Sequence, residues 1–421
     1  MHLRAAPALA LLLALPACTE HGPAPEATHS PPPPRPEPRP LLPPQPPPAI
    51  QPPALQPPPP TGCLGERRDI ALPEWPLNGA IADLDGDGHL DVLANYTLES
   101  AVEVLRGDGD AGFSIDHRHP LAAEAIGLVV ADFDGDGRLD LAASHSREPL
   151  VSVYLGEPGA RFATAPIRTR VDRHVGGGAA GDLDGDGRLD LVVPLWSRVA
   201  LLLGDGRGGF RVAQKIATGQ APERPLLVDL DRDGDLDLAV ASNDDHHLAV
   251  FRGDGRGRIR ADARHPCGQG GAGVAAFDLD RDGAQGLAVA NIHSQDVCVF
   301  RGDGHGGVRL HAVLPVGTYP NRVAAEDLDA DGDADLLVLA WGPRPGKGEA
   351  PRRALEAGQI FVYRGDGQGG FREDASVAVG ASPNELWLAD LDGDRHLDAV
   401  TLNSNGRSLS VLRGTPSCAG G

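Results

Sequence analysis

The chain has 421 residues, with 55 glycines, 39 prolines and 23% charged residues, a composition of turns and short strands rather than helices. Its net charge is −21, and lysine is confined to Lys215 and Lys347. No basic stripe is present, which argues against a nucleic-acid partner.

The first seventeen residues form an export signal. Arg4 is a minimal basic region, and Ala5 to Ala17 is an apolar run too short to span a bilayer. It ends in Leu15-Pro16-Ala17-Cys18, which resembles a bacterial lipoprotein signal, cut before a cysteine that then carries lipid. Pro16 departs from the usual motif. The alternative is an ordinary secretory signal cut near Ala17, with Cys18 left as a spare thiol. The lipoprotein reading implies a cell-envelope protein, and Thr19 after Cys18 favours the outer membrane. Residues 18–62 then form a proline-rich stalk. Such a segment is extended at about 3.1 Å per residue, a spacer on the order of 100 Å.

From residue 63 onward a nine-residue pattern, D-x-D-x-D-G-x-x-D, recurs with starts at Asp83, Asp132, Asp182, Asp229, Asp278, Asp327 and Asp390. The intervals are 49, 50, 47, 49, 49 and 63 residues, a period in the range of propeller blades. The third copy shows the unit. Val175 to Gly181 reads as an inner strand, Asp182 to Asp190 as a loop, and Leu191 to Leu195 and Val199 to Leu203 as two apolar strands. Gly204 to Gly209 is a hairpin turn, and Phe210 opens a polar outer strand. Four antiparallel strands per repeat and seven repeats predict an all-β, seven-bladed propeller over residues 63–418, with a tail at 419–421. Glycines such as Gly176, Gly177, Gly178, Gly270, Gly271 and Gly273 suit the crowded inner strands.

The last repeat lacks an outer strand, and Asp69 to Leu72 precedes the first loop where one would sit. The N-terminal segment is therefore expected to complete the seventh blade and close the ring. Cys63 and Cys418 fall at that break, so a disulfide between them would staple it. Cys267 and Cys298 are then the remaining pair.

Each loop gathers carboxylates that would repel one another without a cation. The first, third, fifth and ninth aspartates, with a turn glycine at the sixth, follow the ligand logic of a calcium loop. The candidate ligands are Asp83, Asp85, Asp87 and Asp91; Asp132, Asp134, Asp136 and Asp140; Asp182, Asp184, Asp186 and Asp190; Asp229, Asp231, Asp233 and Asp237; and Asp327, Asp329, Asp331 and Asp335. Two loops are weaker candidates. Gly286 removes the ninth ligand beside Asp278, Asp280 and Asp282, and Arg395 replaces the turn glycine beside Asp390, Asp392, Asp394 and Asp398. Seven Ca²⁺ would bring the net charge from −21 to −7, an ordinary value for a soluble domain. On these loops the chain resembles the FG-GAP or VCBS repeat family of calcium propellers, typified by integrin α-subunits. The resemblance implies five to seven calcium ions on one face of the ring.

Arg-Gly-Asp occurs at Arg106, Arg252, Arg301 and Arg364, always where the third strand enters its turn, so repeat structure rather than adhesion accounts for it. The Asp244-Asp245-His246-His247 run lacks spaced partners and reads as a solvated loop. Opposite the metal loops fall Trp75, Trp196 and Trp341, with Arg198, His246 and Tyr319 and also His145, Arg147, Asn243, His293 and Arg322. Such a face suits sugars or protein side chains, although tryptophans wedged between blades would give the same pattern. The insertion from Gly342 to Gly358 lies there too. The expected function is a non-enzymatic, monomeric recognition, adhesion or scaffold module for protein or glycan ligands, held to a membrane by its lipid. A carbohydrate-active, lyase-like enzyme is the alternative, since some lyases use related propellers. No acid–base pair stands out from the repeats.

Overall fold

A computed structural model describes residues 63–97, 99–145, 147–173, 176–342 and 357–415. The expected signal, Cys18, the expected stalk, Cys418, residues 343–356 of the insertion and the 419–421 tail lie outside these residues.

The hydrophobic alternation closes into seven four-stranded antiparallel sheets, as the repeat count predicts. In the first blade the strands are Pro76–Ala82, Asp91–Tyr96, Ala101–Gly107 and Phe113–Pro120. The second strand of each blade is an uninterrupted buried run, such as Asp91–Tyr96, Asp237–Ser242 and Asp335–Ala340. Outer strands alternate instead, since only one of their faces meets protein. No helix occurs among the described residues.

Burial is organised between blades. Seven apolar clusters are present, each drawn from two adjacent blades, and the series runs round the ring without a gap. The first blade meets the second through Leu93, Val104, Leu128 and Tyr154. The seventh meets the first through Val400, Leu402, Val92 and Tyr96. Near the axis the inner strands approach so closely that a Cβ on Gly127 would lie 2.5 Å from the Gly176 oxygen and the Gly177 Cα. Only glycine fits there.

The N-terminal strand closes the ring. Leu64–Ala71 pairs antiparallel with Ser408–Gly414, from Leu64 opposite Gly414 to Ala71 opposite Ser408. The Thr415 amide donates to the Cys63 carbonyl at 2.9 Å and extends the seam by one bond. Cys63 is buried and disulfide-bonded.

Two departures from the sequence reading are local. In the third blade the inner strand is shorter than expected, Ala179–Gly181. In the second, Gly156-Glu157-Pro158-Gly159 replaces the Gly-Asp-Gly turn, and an extra hairpin pairs Gly156–Glu157 with Arg161–Phe162.

Candidate metal centres and the opposite face

Each acidic loop follows an inner strand and precedes the buried second strand, so all seven lie on one face. The loop geometry comes from carboxylates accepting backbone amides. In the first copy, Asp83 accepts from Gly86 at 2.8 Å through Oδ1 and from Gly88 at 2.9 Å through Oδ2. Asp87 accepts from His89 at 2.9 Å. The ninth residue, Asp91, is buried and accepts from Leu84 at 3.2 Å and from Gly107 at 2.9 Å. It thereby ties the loop to the far end of the third strand. Asp140, Asp190, Asp237, Asp335 and Asp398 repeat this latch. Burial raises all six carboxyls above the ordinary carboxylate range, while the donated amides oppose it. The ninth position is thus a structural tie as well as a candidate ligand, because a carboxylate has lone pairs left after two such bonds.

The loops bring three carboxylates to within 4.8 Å of one another in Asp83, Asp85 and Asp91; Asp132, Asp134 and Asp136; Asp182, Asp184 and Asp190; Asp229, Asp231 and Asp237; and Asp278, Asp280 and Asp282. Two further groups of this kind occur among the described residues. The fifth loop gathers its carboxylates despite Gly286. In the seventh, Arg395 adopts φ of 71° and its amide donates to Asp390 at 3.0 Å, as the turn glycine does elsewhere. A hard cation fits this donor set. The Oδ1 atoms of Asp184 and Asp231 are buried without a hydrogen-bond partner, a state that costs free energy until something binds them.

The arginines of the Arg-Gly-Asp triplets point into these loops. Arg106 pairs with Asp85, and lies 3.3 Å from Asp87 and 3.5 Å from Asp91. Arg364 is 3.0 Å from Asp329 and 2.9 Å from Asp335. Arg252 pairs with Asp231 and Arg301 with Asp280. The aspartates of the triplets are bound within the turn, Asp108 accepting from Asp110 and Gly112. The arginines are thus turned into the loops, while the aspartates are held by their own turns, three of the four of them exposed. Nothing in the motif signalled the arginine contact. The left-handed fourth position went unread as well, because it holds Arg232, Arg281 and Ala330 as well as glycines.

On the opposite face the three tryptophans belong to different blades. Trp75 is 50% and Trp196 63% exposed, which rules out a wedge role for both. Trp75 borders a cleft of about 400 Å³ with Glu74, Thr97, Glu99, Ser404 and Asn405, and the Arg407 guanidinium lies over its ring. Trp341 is half-buried and its indole donates to Asn384 at 3.2 Å. Arg198 and His246 are exposed, and Tyr319 is half-buried. These residues are spread round the rim and not gathered into one pocket. His145 is corrected outright. It is buried and bonded to the Ser152 hydroxyl at 2.8 Å, so it faces no ligand.

At the axis the sequence reading missed an ionic group. Arg224 reaches from the fourth blade to Asn78 of the first at 2.9 Å and to Glu385 of the seventh. Arg322 lies 3.7 Å from Glu385, which is 2% exposed. Burial, then the like charge of Arg224, brings the Arg322 guanidinium down to about 10. Burial also raises the Glu223 carboxyl, against the pull of both arginines. Cys267 and Cys298, expected as a disulfide, stand as two free thiols. Asn291 satisfies both, accepting from Cys267 at 3.4 Å and donating to Cys298 at 3.3 Å.

The FG-GAP-like repeat model matches residues 83–143 and 229–289, each spanning two successive acidic loops and the strands between them. Those two stretches carry FG-GAP-like repeats. No curated protein matches the chain in sequence. Among solved structures it is similar to BBS1N from its complex with ARL6DN, at 13% identity and TM-score 0.58, covering 85% of this chain and 98% of that one. A protein of unknown function from Desulfotomaculum acetoxidans aligns at 10% identity and TM-score 0.50, over 76% of this chain and 94% of that one. An Agrocybe aegerita lectin that recognises terminal N-acetylglucosamine aligns at 19% identity and TM-score 0.49, over 74% and 86%. At these identities the likeness is one of fold.

Proposed function

We propose that this FG-GAP-repeat propeller is a calcium-binding recognition module, exported and held at a bacterial envelope by lipid on Cys18. Its ligand is a glycan or a protein, taken on the face opposite the acidic loops without covalent chemistry. The observation that carries this reading is the half-exposed Trp75 beside a cleft of about 400 Å³ lined by hydrogen-bonding groups. An indole kept in water at a polar cleft is the arrangement that stacks on a sugar ring or takes a partner side chain. The acidic loops support calcium through their converging carboxylates and the orphaned Asp184 and Asp231 oxygens. The ion would supply charge neutralisation and bind the loop aspartates together. The buried Glu385 is paired with two arginines, which suits a structural tie better than an acid–base role.

The test is a glycan and envelope-protein array probed with the full chain, run beside an oligosaccharide-cleavage assay. Specific binding lost in Trp75→Ala supports recognition at this cleft. Cleaved products with turnover would replace it with the enzyme reading. Mass analysis of the mature N-terminus should find an acylated Cys18.

A further inference from the structure

The residue just before the glycine that ends each third strand differs among the blades. It is Arg106, Arg252, Arg301, Arg364 and Arg413 in the first, fourth, fifth, sixth and seventh, but Leu155 and Leu203 in the second and third. Each of these arginines is paired with the third aspartate of its own acidic loop. The partners are Asp85, Asp231, Asp280, Asp329 and Asp392, the last at 3.7 Å. Arg364 is the most enclosed, its side chain 11% exposed, and it reaches the ninth aspartate as well. In the second and third blades the corresponding aspartates, Asp134 and Asp184, have no such partner. There the nearest guanidiniums, Arg138 and Arg188, come from the loop itself and pair from outside with the fifth aspartates, Asp136 and Asp186. The Asp184 Oδ1 remains buried and unpartnered, as does the Oδ1 of Asp231, whose other oxygen is taken by Arg252.

We propose that this single position sorts the seven loops into two affinity classes, with the Leu155 and Leu203 blades binding a divalent cation tightly and the five arginine blades weakly. The inference rests on the reading that the loops take divalent cations. A guanidinium seated on the third aspartate occupies a lone pair that the cation needs. It also places a positive charge a few ångström from a dication, where repulsion is strong at any local dielectric. An arginine loop is neutralised at its third aspartate, whereas in the leucine loops the loop's own arginine sits on the fifth, and the third is left to an ion. Mean affinities of the two classes should differ by at least about tenfold.

Calcium titration of the chelator-stripped full chain, with bound ions counted by native mass spectrometry, tests this directly. The wild type should take up two ions first and the rest at tenfold or more higher calcium. Leu203→Arg should leave one tight ion, and Arg106→Leu should raise the tight count to three; circular dichroism verifies that each variant is folded. The wild-type count decides the matter even if a variant fails to fold. Seven equivalent ions, or tighter binding by the arginine loops, would overturn the two classes while leaving calcium binding intact. No uptake at millimolar calcium would remove the metal reading itself.

Discussion

His119 offers a test of the inter-blade packing. It lies on the outer strand of the first blade, 5% exposed, with its ring edge-on to Tyr154 at 5.3 Å and Phe162 at 5.6 Å across the boundary to the second. Its Nε2 has no hydrogen-bond partner. Burial, and to a lesser degree the neighbouring His117, lowers the imidazole from 6.5 to about 4. The folded protein therefore resists a proton that the unfolded chain accepts. Above pH 6.5 both states are neutral and the packing contributes in full. As pH falls from 6.5 towards 4 the unfolded chain gains the proton first, and stability is lost. Integrating the two titrations gives a loss of about 2 kcal/mol by pH 5, rising to about 3 kcal/mol below pH 4. The perturbation is His119→Phe, which keeps an aromatic ring against Tyr154 and Phe162 and removes the titration. Urea unfolding at pH 7.5 and pH 5, in saturating calcium so that the loop aspartates stay ionised, gives the comparison. The variant should lose about 2 kcal/mol less than the wild type over that interval. Equal losses in both proteins would refute the buried neutral imidazole.

Calcium removal should lower stability. At about 1 mM ion and a dissociation constant of about 10⁻⁴ M, each occupied loop contributes roughly 1.4 kcal/mol, so EDTA should drop the melting temperature by several degrees; an unmoved transition refutes structural calcium. Arg395→Gly should stabilise the seventh blade by about 1 kcal/mol, since the backbone there is left-handed at φ 71°, and Arg395→Ala should not; thermal melts separate them. Replacing Cys63 by serine should loosen the seam, at a cost of about 2–5 kcal/mol. Amide exchange should then quicken first over Leu64–Ala71 and Ser408–Gly414. Uniform exchange round the ring would refute closure at that seam, and non-reducing peptide maps would identify the partner, expected to be Cys418.

The fold was legible because the signal is redundant. Seven acidic loops in phase fix the strand count, and the missing last strand points to its replacement by Leu64–Ala71. Contacts across the axis were not legible. Arg224 and Glu385 are 161 residues apart, and nothing local to either says that two inner strands bring them together. The metal loops were read from their aspartates, yet the arginine seated on the third aspartate of four of them was hidden by its membership of a familiar triplet. His145 looked like a surface histidine because its burial depends on Ser152 of the neighbouring strand. Arg232, Arg281 and Ala330 gave no sign of a left-handed backbone, because ties within the loop, such as the amide of Arg232 donating to Asp229 at 2.7 Å, override the residue's own preference.

The closing strand has a mechanical consequence. Cys63 immediately precedes its first residue, Leu64, on the face that carries the acidic loops. A pull on the N-terminus would reach the ring at this edge. An antiparallel strand loaded from one end peels, breaking its hydrogen bonds one after another from Leu64 opposite Gly414 inwards. Each bond is weak when loaded alone. The covalent link at Cys63 sits ahead of the first of them, so the load passes into the disulfide before the zipper feels it. The opposite face, with Trp75 and Trp196, lies away from the point of traction.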